Sequence, residues 1–459
     1  MSEKKNSKFV QKLLDLSKKA AQEVHLRAIR DAFLFTIPFL VLSGFMVFIA
    51  WVLFADGSWC ATHLPQGLVS AIVSIASTAT NGGNNIYSLL TCFLVAYNLS
   101  KNKNYKTPIL PAAVAVGALF IFMPSAITTE KLGLHGMFVS LLTGLLITEL
   151  FLKLSKIKKL QIKISGNVPP AIIESFNSMI VIIIIHLLCA VLSYLSVILT
   201  GKEVHELINA ILQAPMVGVS TNLFAFLLYF GFGQDLCYFL GVHPAGVINP
   251  IFEPGLLVAI EENTAAWKLG EAIPHIISLP FRDVYGTLGG IANTLGLTIA
   301  ILLFVKRKDM REIAKMSLTT ELFNINEPIL FGLPIVYNPI MFIPFCFTTT
   351  IVYILAYVAT AIGMISPLVV YTTWSTPIFL SGYIASGGDW RNVVFQAFCL
   401  VISVLTYLPF AKIMDKQVVE SDASEEITFD ASDMDLWKKY WWYVHLECQL
   451  LSLLIRLIN

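Results

Sequence analysis

The residues with the most chemistry to offer sit in a short apolar stretch, "FNINEPILFGLPIVYNP", from Phe323 to Pro339. It carries one acid, Glu327, beside Asn326 and Pro328. A carboxylate at membrane depth costs ~2.5–3.5 kcal/mol on insertion scales, so it faces a cavity or answers a functional need. Pro328 biases Glu327 towards extended backbone. An acid at a loop tip, flanked by amides and set in an apolar wall, suits the hydroxyls of a sugar, and a buried carboxylate there can act as a general base. The competing reading is a Glu that merely bonds exposed loop backbone at the mouth of a turn.

Four other positions have comparable potential. His243, in "YFLGVHPAG", lies in a helix break framed by Gly241 and Pro244. An imidazole there can donate to and accept from a sugar, or exchange a proton. Asp283, in "LPFRDVYGTLGG", follows Arg282 directly, which fits a plain ion pair and a cavity-lining acid equally well. Trp374, in "YTTWSTP", is either an interfacial anchor or a flat platform for a pyranose ring, and Tyr238 poses the same choice. His135 and His186 lack such context and read as structural.

These residues need elements that hold them inside a bilayer. The chain has 459 residues, 56% hydrophobic and 13% charged, against about 25% charged in an average soluble domain. That composition predicts an all-α polytopic membrane protein of about 8–10 transmembrane helices, with re-entrant hairpins in the C-terminal half. A net charge of +1 gives no basic field for nucleic acid. The seven scattered cysteines (Cys60, Cys92, Cys189, Cys237, Cys346, Cys399 and Cys448) form neither a metal motif nor a disulfide framework. No P-loop, GxSxG, HExxH or EF-hand loop is present, so no ATP-driven engine, metal site or cofactor is expected.

Apolar runs at 32–54, 86–99, 107–123, 137–155, 178–200, 222–240, 285–305, 347–369 and 393–411 are the candidate spans. "KNKNYK" (101–106), "KLSKIKKLQIK" (153–163) and "KRKDMREIAK" (306–315) are basic, as are the N-terminus and Lys412/Lys416. The positive-inside rule puts all of them on the cytoplasmic side, so an even number of crossings must separate them. Between 163 and 306 three spans are evident, and 241–260 must hold a further crossing or break one of the three. Between 315 and 412 two spans are evident, so the Glu327 segment must enter and leave on one side as a re-entrant hairpin. Non-helical backbone at that depth lines a cavity or is buried in protein, and paired broken segments mark a transporter's binding site. A third break, "NGGNN" (81–85), interrupts the N-terminal half.

The expected organisation is an amphipathic cytoplasmic N-terminus (1–30), lying on the membrane surface or folding as a plain helix. It lacks the pattern of a signal peptide. An N-terminal transmembrane domain (31–160), an interfacial linker (161–178) and a C-terminal transport domain (179–414) follow. Re-entrant segments are expected near 241–282 and 317–345. The cytoplasmic tail (415–459) begins acidic and ends aromatic.

"NINEPILFGLPIVYNPIMFIPF" (324–345) closely resembles the signature of the IIC permeases of the bacterial phosphotransferase system, lactose/cellobiose/diacetylchitobiose family. "HLRAIRDAFLFTIPF" (25–39), "NVPPAIIESF" (167–176), "FLGVH" (239–243) and "TLGLTIAILL" (294–303) agree in order, so the resemblance covers about 20–415. It implies a homodimeric, multi-pass permease of the bacterial cytoplasmic membrane, with both termini cytoplasmic and the dimer interface in the N-terminal half. The C-terminal half would hold a disaccharide, cellobiose-like or alternatively lactose or diacetylchitobiose, and carry it across by a rigid-body shift. As the membrane subunit of a multi-component phosphotransferase, it would present the 6-hydroxyl to a phosphocysteine on a separate IIB protein, charged in turn by IIA.

Carried over by motif, Glu327 would bind and help deprotonate the 6-hydroxyl, and His243 would hydrogen-bond the sugar near Asn326 and Asp283. Trp374 would stack on a ring. Gly82, Gly83 and Asn84 would reach the sugar from the N-terminal half. Tyr238 stands where the family often has Trp, Pro244 where Gly is usual, and Asn293 is an addition. The rival reading is an ion-coupled secondary transporter that leaves its sugar unmodified.

Overall fold

A computed structural model of the chain describes residues 23–162, 170–241, 244, 248–333, 335–336 and 338–416. The expected N-terminal surface helix, His243, Pro334 and the tail beyond 416 lie outside these residues. The side chain of Asn84 is likewise outside the description.

In chain order the helices are α1 (Val24–Phe48), α2 (Gln66–Asn84), α3 (Tyr87–Asn102), α4 (Ile109–Ile121), α5 (Met137–Leu154) and α6 (Pro170–Thr200). Then come α7 (Val204–Thr221), α8 (Leu223–Phe239), α9 (Asn249–Leu269), α10 (Leu279–Gly286), α11 (Leu295–Phe304) and α12 (Lys308–Glu321). The last four are α13 (Glu327–Gly332), α14 (Pro339–Ala361), α15 (Leu380–Ala385) and α16 (Trp390–Lys416).

Among the described residues, five helical spans are long and apolar enough to cross a bilayer: Val24–Leu53, Leu134–Leu154, Phe176–Thr200, Pro339–Ala361 and Trp390–Asp415. Two bent pairs, α7 with α8 (70°) and the α10 segment with α11 (56°), qualify when each is taken together. The shorter apolar α4 adds to these. The architecture is the all-helical membrane fold expected from composition.

Contacts between helix ends group several of these elements. At one end, His25 lies between Glu23 (2.6 Å) and Glu149 (2.7 Å), and Lys103 pairs with Glu149. The start of α1, the end of α3 and the end of α5 therefore meet. Lys306 and Arg307 donate backbone N–H groups to Asp415 at 3.1 and 2.9 Å, which joins the end of α11 to the end of α16. Away from these, Glu203 before α7 takes Lys131 (2.8 Å) and the N–H of Ser125 (2.8 Å), from the loop between α4 and α5.

In the window 241–260, where a further crossing or a broken span was expected, the chain enters α9, which is not among the helices apolar enough to cross, while the α7–α8 pair and the α10–α11 pair beside it are bent. Pro250 sits in the first turn of α9, where a missing N–H costs nothing. It ends at Gly270 with φ 70°, a left-handed cap. The break expected at "NGGNN" falls slightly later, at Asn85 and Ile86, because α2 runs helically through both glycines. The span expected over 347–369 begins earlier, at Pro339. Pro339 occupies the first helical position and the Asn338 side chain accepts the N–H of Ile340 (3.0 Å), so the proline starts the helix here.

Candidate functional site: a re-entrant hairpin against a broken span

Helix α12 runs back along α11, and the chain then turns at Leu322–Asn326 and returns through α13. Gly332 on α13 packs against Ile313 on α12, which closes the hairpin. Its tip meets two other irregular segments. One is Thr287–Thr294, the break between α10 and α11, where Ala292 (φ 63°) and Asn293 (φ 53°) adopt left-handed backbone. The other is the loop 370–379 between α14 and α15.

The asparagines hold these three segments together. Asn324, itself at φ 62°, donates from Nδ2 to the carbonyls of Trp374 (2.6 Å) and Thr376 (3.1 Å), and its Oδ1 accepts the N–H of Gly289 (3.1 Å). Asn326 donates to Ile291 O (2.8 Å) and Thr294 Oγ1 (3.0 Å). Within the break, Asn293 accepts from Leu288 N–H (2.7 Å) and donates to Tyr285 O (3.2 Å). The buried phenol of Tyr407 donates to Ala292 O (2.7 Å). Backbone freed by unwinding inside a membrane protein must find such partners.

Glu327 stands out against this saturation. It opens α13, it is half-buried, and its carboxylate has no hydrogen bond or ion pair among the described residues. An acceptor with open valence beside a rigid frame is what a hydroxylated ligand requires. Trp374 is 43% exposed while its carbonyl is held by Asn324, so a fixed backbone carries an exposed aromatic residue. Tyr238 on α8 packs against the large apolar cluster to which Ile329 and Leu330 of α13 also belong.

Asp283 is buried and paired. Arg282 Nε donates to its Oδ1 (2.8 Å), and Arg282 also lies 3.2 Å from Glu253 on α9. The guanidinium stacks over Phe230 (5.4 Å), and Tyr353 bonds the Arg282 carbonyl (3.0 Å). The ion-pair reading of Asp283 therefore holds. Glu253 was not singled out from sequence. Its only local signal is an acid inside the apolar run "NPIFEPGLL", 29 positions before its partner.

Gly83 lets α2 approach α1: a Cβ there would lie 2.1 Å from Ser43 Oγ and 2.5 Å from Phe39 O, whereas nothing lies within 4 Å of one at Gly82. Hydrogen bonds thus bring together Asn324, Asn326, Trp374 and the α10–α11 break, and Tyr238 shares an apolar cluster with α13. Asp283 lies one turn before the break, its carbonyl accepting from Thr287 (2.5 Å).

Comparison with known proteins places this geometry. The family model "Phosphotransferase system, EIIC" matches residues 30–349. An oligo-beta-mannoside-specific EIIC component from Bacillus subtilis (strain 168) is 30% identical, covering 93% of this chain and 98% of that protein. A cellobiose-specific EIIC component from Geobacillus stearothermophilus is 25% identical, covering 90% and 95%. The crystal structure of the IIC component of an N,N'-diacetylchitobiose-specific phosphotransferase system superposes with a TM-score of 0.83 at 26% identity, covering 91% of this chain and all of that one. The chain belongs to the EIIC family of the phosphotransferase system, the membrane permease components that handle sugars.

Proposed function

We propose that this permease takes a β-linked disaccharide, cellobiose-like by preference, and presents its 6-hydroxyl at Glu327 for phosphorylation. The observation that carries the reading is the half-buried, unbonded Glu327 carboxylate on a hairpin tip whose other polar groups are already engaged. Glu327 accepts the hydroxyl proton as O6 attacks phosphorus. The O–P bond forms and the S–P bond of a IIB phosphocysteine breaks, its thiolate leaving. His243 hydrogen-bonds the sugar, and Trp374 and Tyr238 offer ring faces to it. Asn326 acts chiefly by fixing the tip, since its amide nitrogen is spent on Ile291 and Thr294. Asp283 meets the ligand as one member of the Glu253–Arg282–Asp283 group, and Gly82, Gly83 and Asn84 approach from the N-terminal half. The working unit is a homodimer joined through residues 31–160, with 179–414 as the moving half and the basic ends cytoplasmic. IIB and IIA are separate chains.

Uptake of labelled disaccharides with and without candidate IIB proteins tests this, with chemical identification of the product. Sugar 6-phosphate that depends on IIB is the expected result. Glu327→Gln should retain measurable sugar binding and lose phosphorylation by about 10²–10⁴-fold. Normal phosphorylation by that variant removes the base role. Accumulation of unmodified sugar that an ionophore abolishes assigns ion-coupled transport instead.

A further inference from the structure

Between α7 and the end of α9 lies a cavity of about 620 Å³ that shares no lining residue with the hairpin tip. Small-molecule sites enclose roughly 300–1,000 Å³. Glu206, Asn209, Gln213 and Thr221 line it from one face of α7, and Glu262 and His275 from α9 and the loop after it. Ala210, Ala214 and Gly218 run between the polar groups of α7 and are exposed, so little but backbone stands in the way there. The turn Asn209–Gln213 is π-helical, a rare form that recurs at functional sites. The other wall is fixed. Buried Asn263 accepts the His275 N–H (3.0 Å) and donates to the His275 carbonyl (2.7 Å), and the imidazole meets Glu262 at 2.5 Å.

The cavity belongs to the face opposite the basic helix ends. The end of α5 meets His25 and Lys103 at the basic side, so Lys131, just before that span, lies across the bilayer. Lys131 pairs with Glu203, which puts the start of α7 there too. Trp267, near the end of α9, packs 6.4 Å from Trp51, at the far end of the span that α1 begins.

Both lining carboxylates are engaged: Glu206 accepts the Glu203 N–H (3.1 Å), and Glu262 has His275. What stays open is a pair of amide acceptors. Gln213 is 6% exposed, and its Oε1, like the buried Oδ1 of Asn209, has no hydrogen-bond partner among the described residues. A buried acceptor left without a donor is costly. Two such oxygens on one helix face call for a ligand that donates hydrogen bonds, which a hydroxyl does and a phosphate or carboxylate does not. Among the described residues no three His, Cys, Asp or Glu side chains converge as a metal site would need. A polyhydroxylated ring lying against Ala210, Ala214 and Gly218 meets these conditions.

We propose that this cavity is a second saccharide site, which captures a β-linked disaccharide from the outer face and passes it towards the hairpin. Gln213 and Asn209 accept its hydroxyls, and Glu262 with His275 closes the far side. At the inner end Thr221 adjoins Ser220, whose hydroxyl donates to Phe252 O (3.1 Å) beside Glu253. The sugar therefore leaves the cavity next to the Glu253–Arg282–Asp283 group. The place in uptake rests on the permease reading; binding in the cavity does not depend on Glu327.

The test labels an Ala210→Cys chain, in right-side-out vesicles, with a membrane-impermeant maleimide. Cys60, on the same face and outside the cavity, is the internal control. Cellobiose should slow labelling at position 210 by about tenfold at about ten times its dissociation constant. Mannitol at equal osmolality should not, and Cys60 should respond to neither. The protection should persist when Asn324→Ala weakens the hairpin site. Absence of protection overturns the proposal, and so does protection that vanishes with Asn324→Ala, which assigns it to the hairpin. A position 210 that is silent without sugar shows a cavity filled by lipid or a second copy, and overturns it too. Independently of these, Asn209→Leu with Gln213→Leu should raise the KM for uptake of external cellobiose about tenfold with Vmax nearly unchanged. Phosphorylation of cellobiose offered with IIB to inside-out vesicles should stay at the wild-type rate. A fall in Vmax at constant KM assigns the two amides to structure alone. Normal phosphorylation by Glu327→Gln with protection at position 210 intact sinks the hairpin chemistry and leaves this site standing.

Discussion

The molecule interrupts its helices at membrane depth in two quite different ways. Between α2 and α3 the break is nearly bare. Asn85 donates to Asn81 (2.9 Å) on an exposed face, and the close fit of α2 on α1 comes from the missing side chain of Gly83. Between α10 and α11 the break is overdetermined. Asn293, Asn324, Asn326, Thr294 and Tyr407 all bond its backbone or one another. Left-handed non-glycine residues of this kind persist only where surrounding structure fixes them, and such places cluster at functional sites. The first break is a steric accommodation, and the second is a frame built to hold a site.

The comparison is most exposed at Asn324. Asn324→Ala strands the Gly289 N–H and two carbonyls and leaves a non-asparagine residue at φ 62°. Each buried group left unpaired costs about 1–3 kcal/mol, so the loss should be on the order of 3 kcal/mol with sugar binding greatly weakened. Asn324→Gly removes the backbone strain and keeps the hydrogen-bond loss, and should recover only a minor part. Asn85→Ala should change stability by less than about 0.5 kcal/mol. Thermal unfolding of the three variants gives the ranking, and equal costs at positions 324 and 85 would dissolve the distinction between the breaks.

Much of this was legible in the chain. Basic loops plus a count of apolar runs called for a further crossing or a broken span around 241–260 and a hairpin at Glu327, and the described residues show bent helix pairs at α7–α8 and α10–α11 and a turn between α12 and α13. What was not legible is which groups the asparagines would bind. Asn324 reaches carbonyls 50 and 52 positions away, and a backbone carbonyl has no sequence signature. Glu253 was missed for the same reason: its meaning depends on Arg282 arriving from another element. α14 starts eight residues before the apolar run at 347–369, at Pro339, because a proline at the first helical position fits without loss.

The steric character of the first break makes a smaller prediction. Gly83→Val places a Cβ 2.5 Å from the Phe39 carbonyl, which α1 cannot withdraw without bending. Overpacking of this sort costs about 1–3 kcal/mol. Gly82→Ala, with nothing within 4 Å of its new carbon, should be close to neutral for stability. If unfolding shows the two equally costly, Gly83 is not the contact that fits α2 to α1.

The smallest effect belongs to the helix-end lock at Glu203, far in character from both breaks. Burial alone raises the pKa of that carboxyl, but the Lys131 ammonium and the Ser125 N–H more than offset it, so the net shift is downward. A carboxylate with a lowered folded pKa stabilises the fold fully above its unfolded value, near 4.5. That contribution is lost as pH falls through the lower folded value. Acidification from pH 6 towards 3 should therefore loosen the 122–136 loop from the start of α7, by an amount on the order of 1 kcal/mol for this largely buried, hydrogen-bonded pair. Glu203→Gln should flatten this part of the pH profile while leaving the melt at pH 7 within a few degrees of wild type. Amide exchange in 122–136 reads the local opening directly: if it is insensitive to pH in the wild type, the ion pair does not hold the loop, and helix packing alone does.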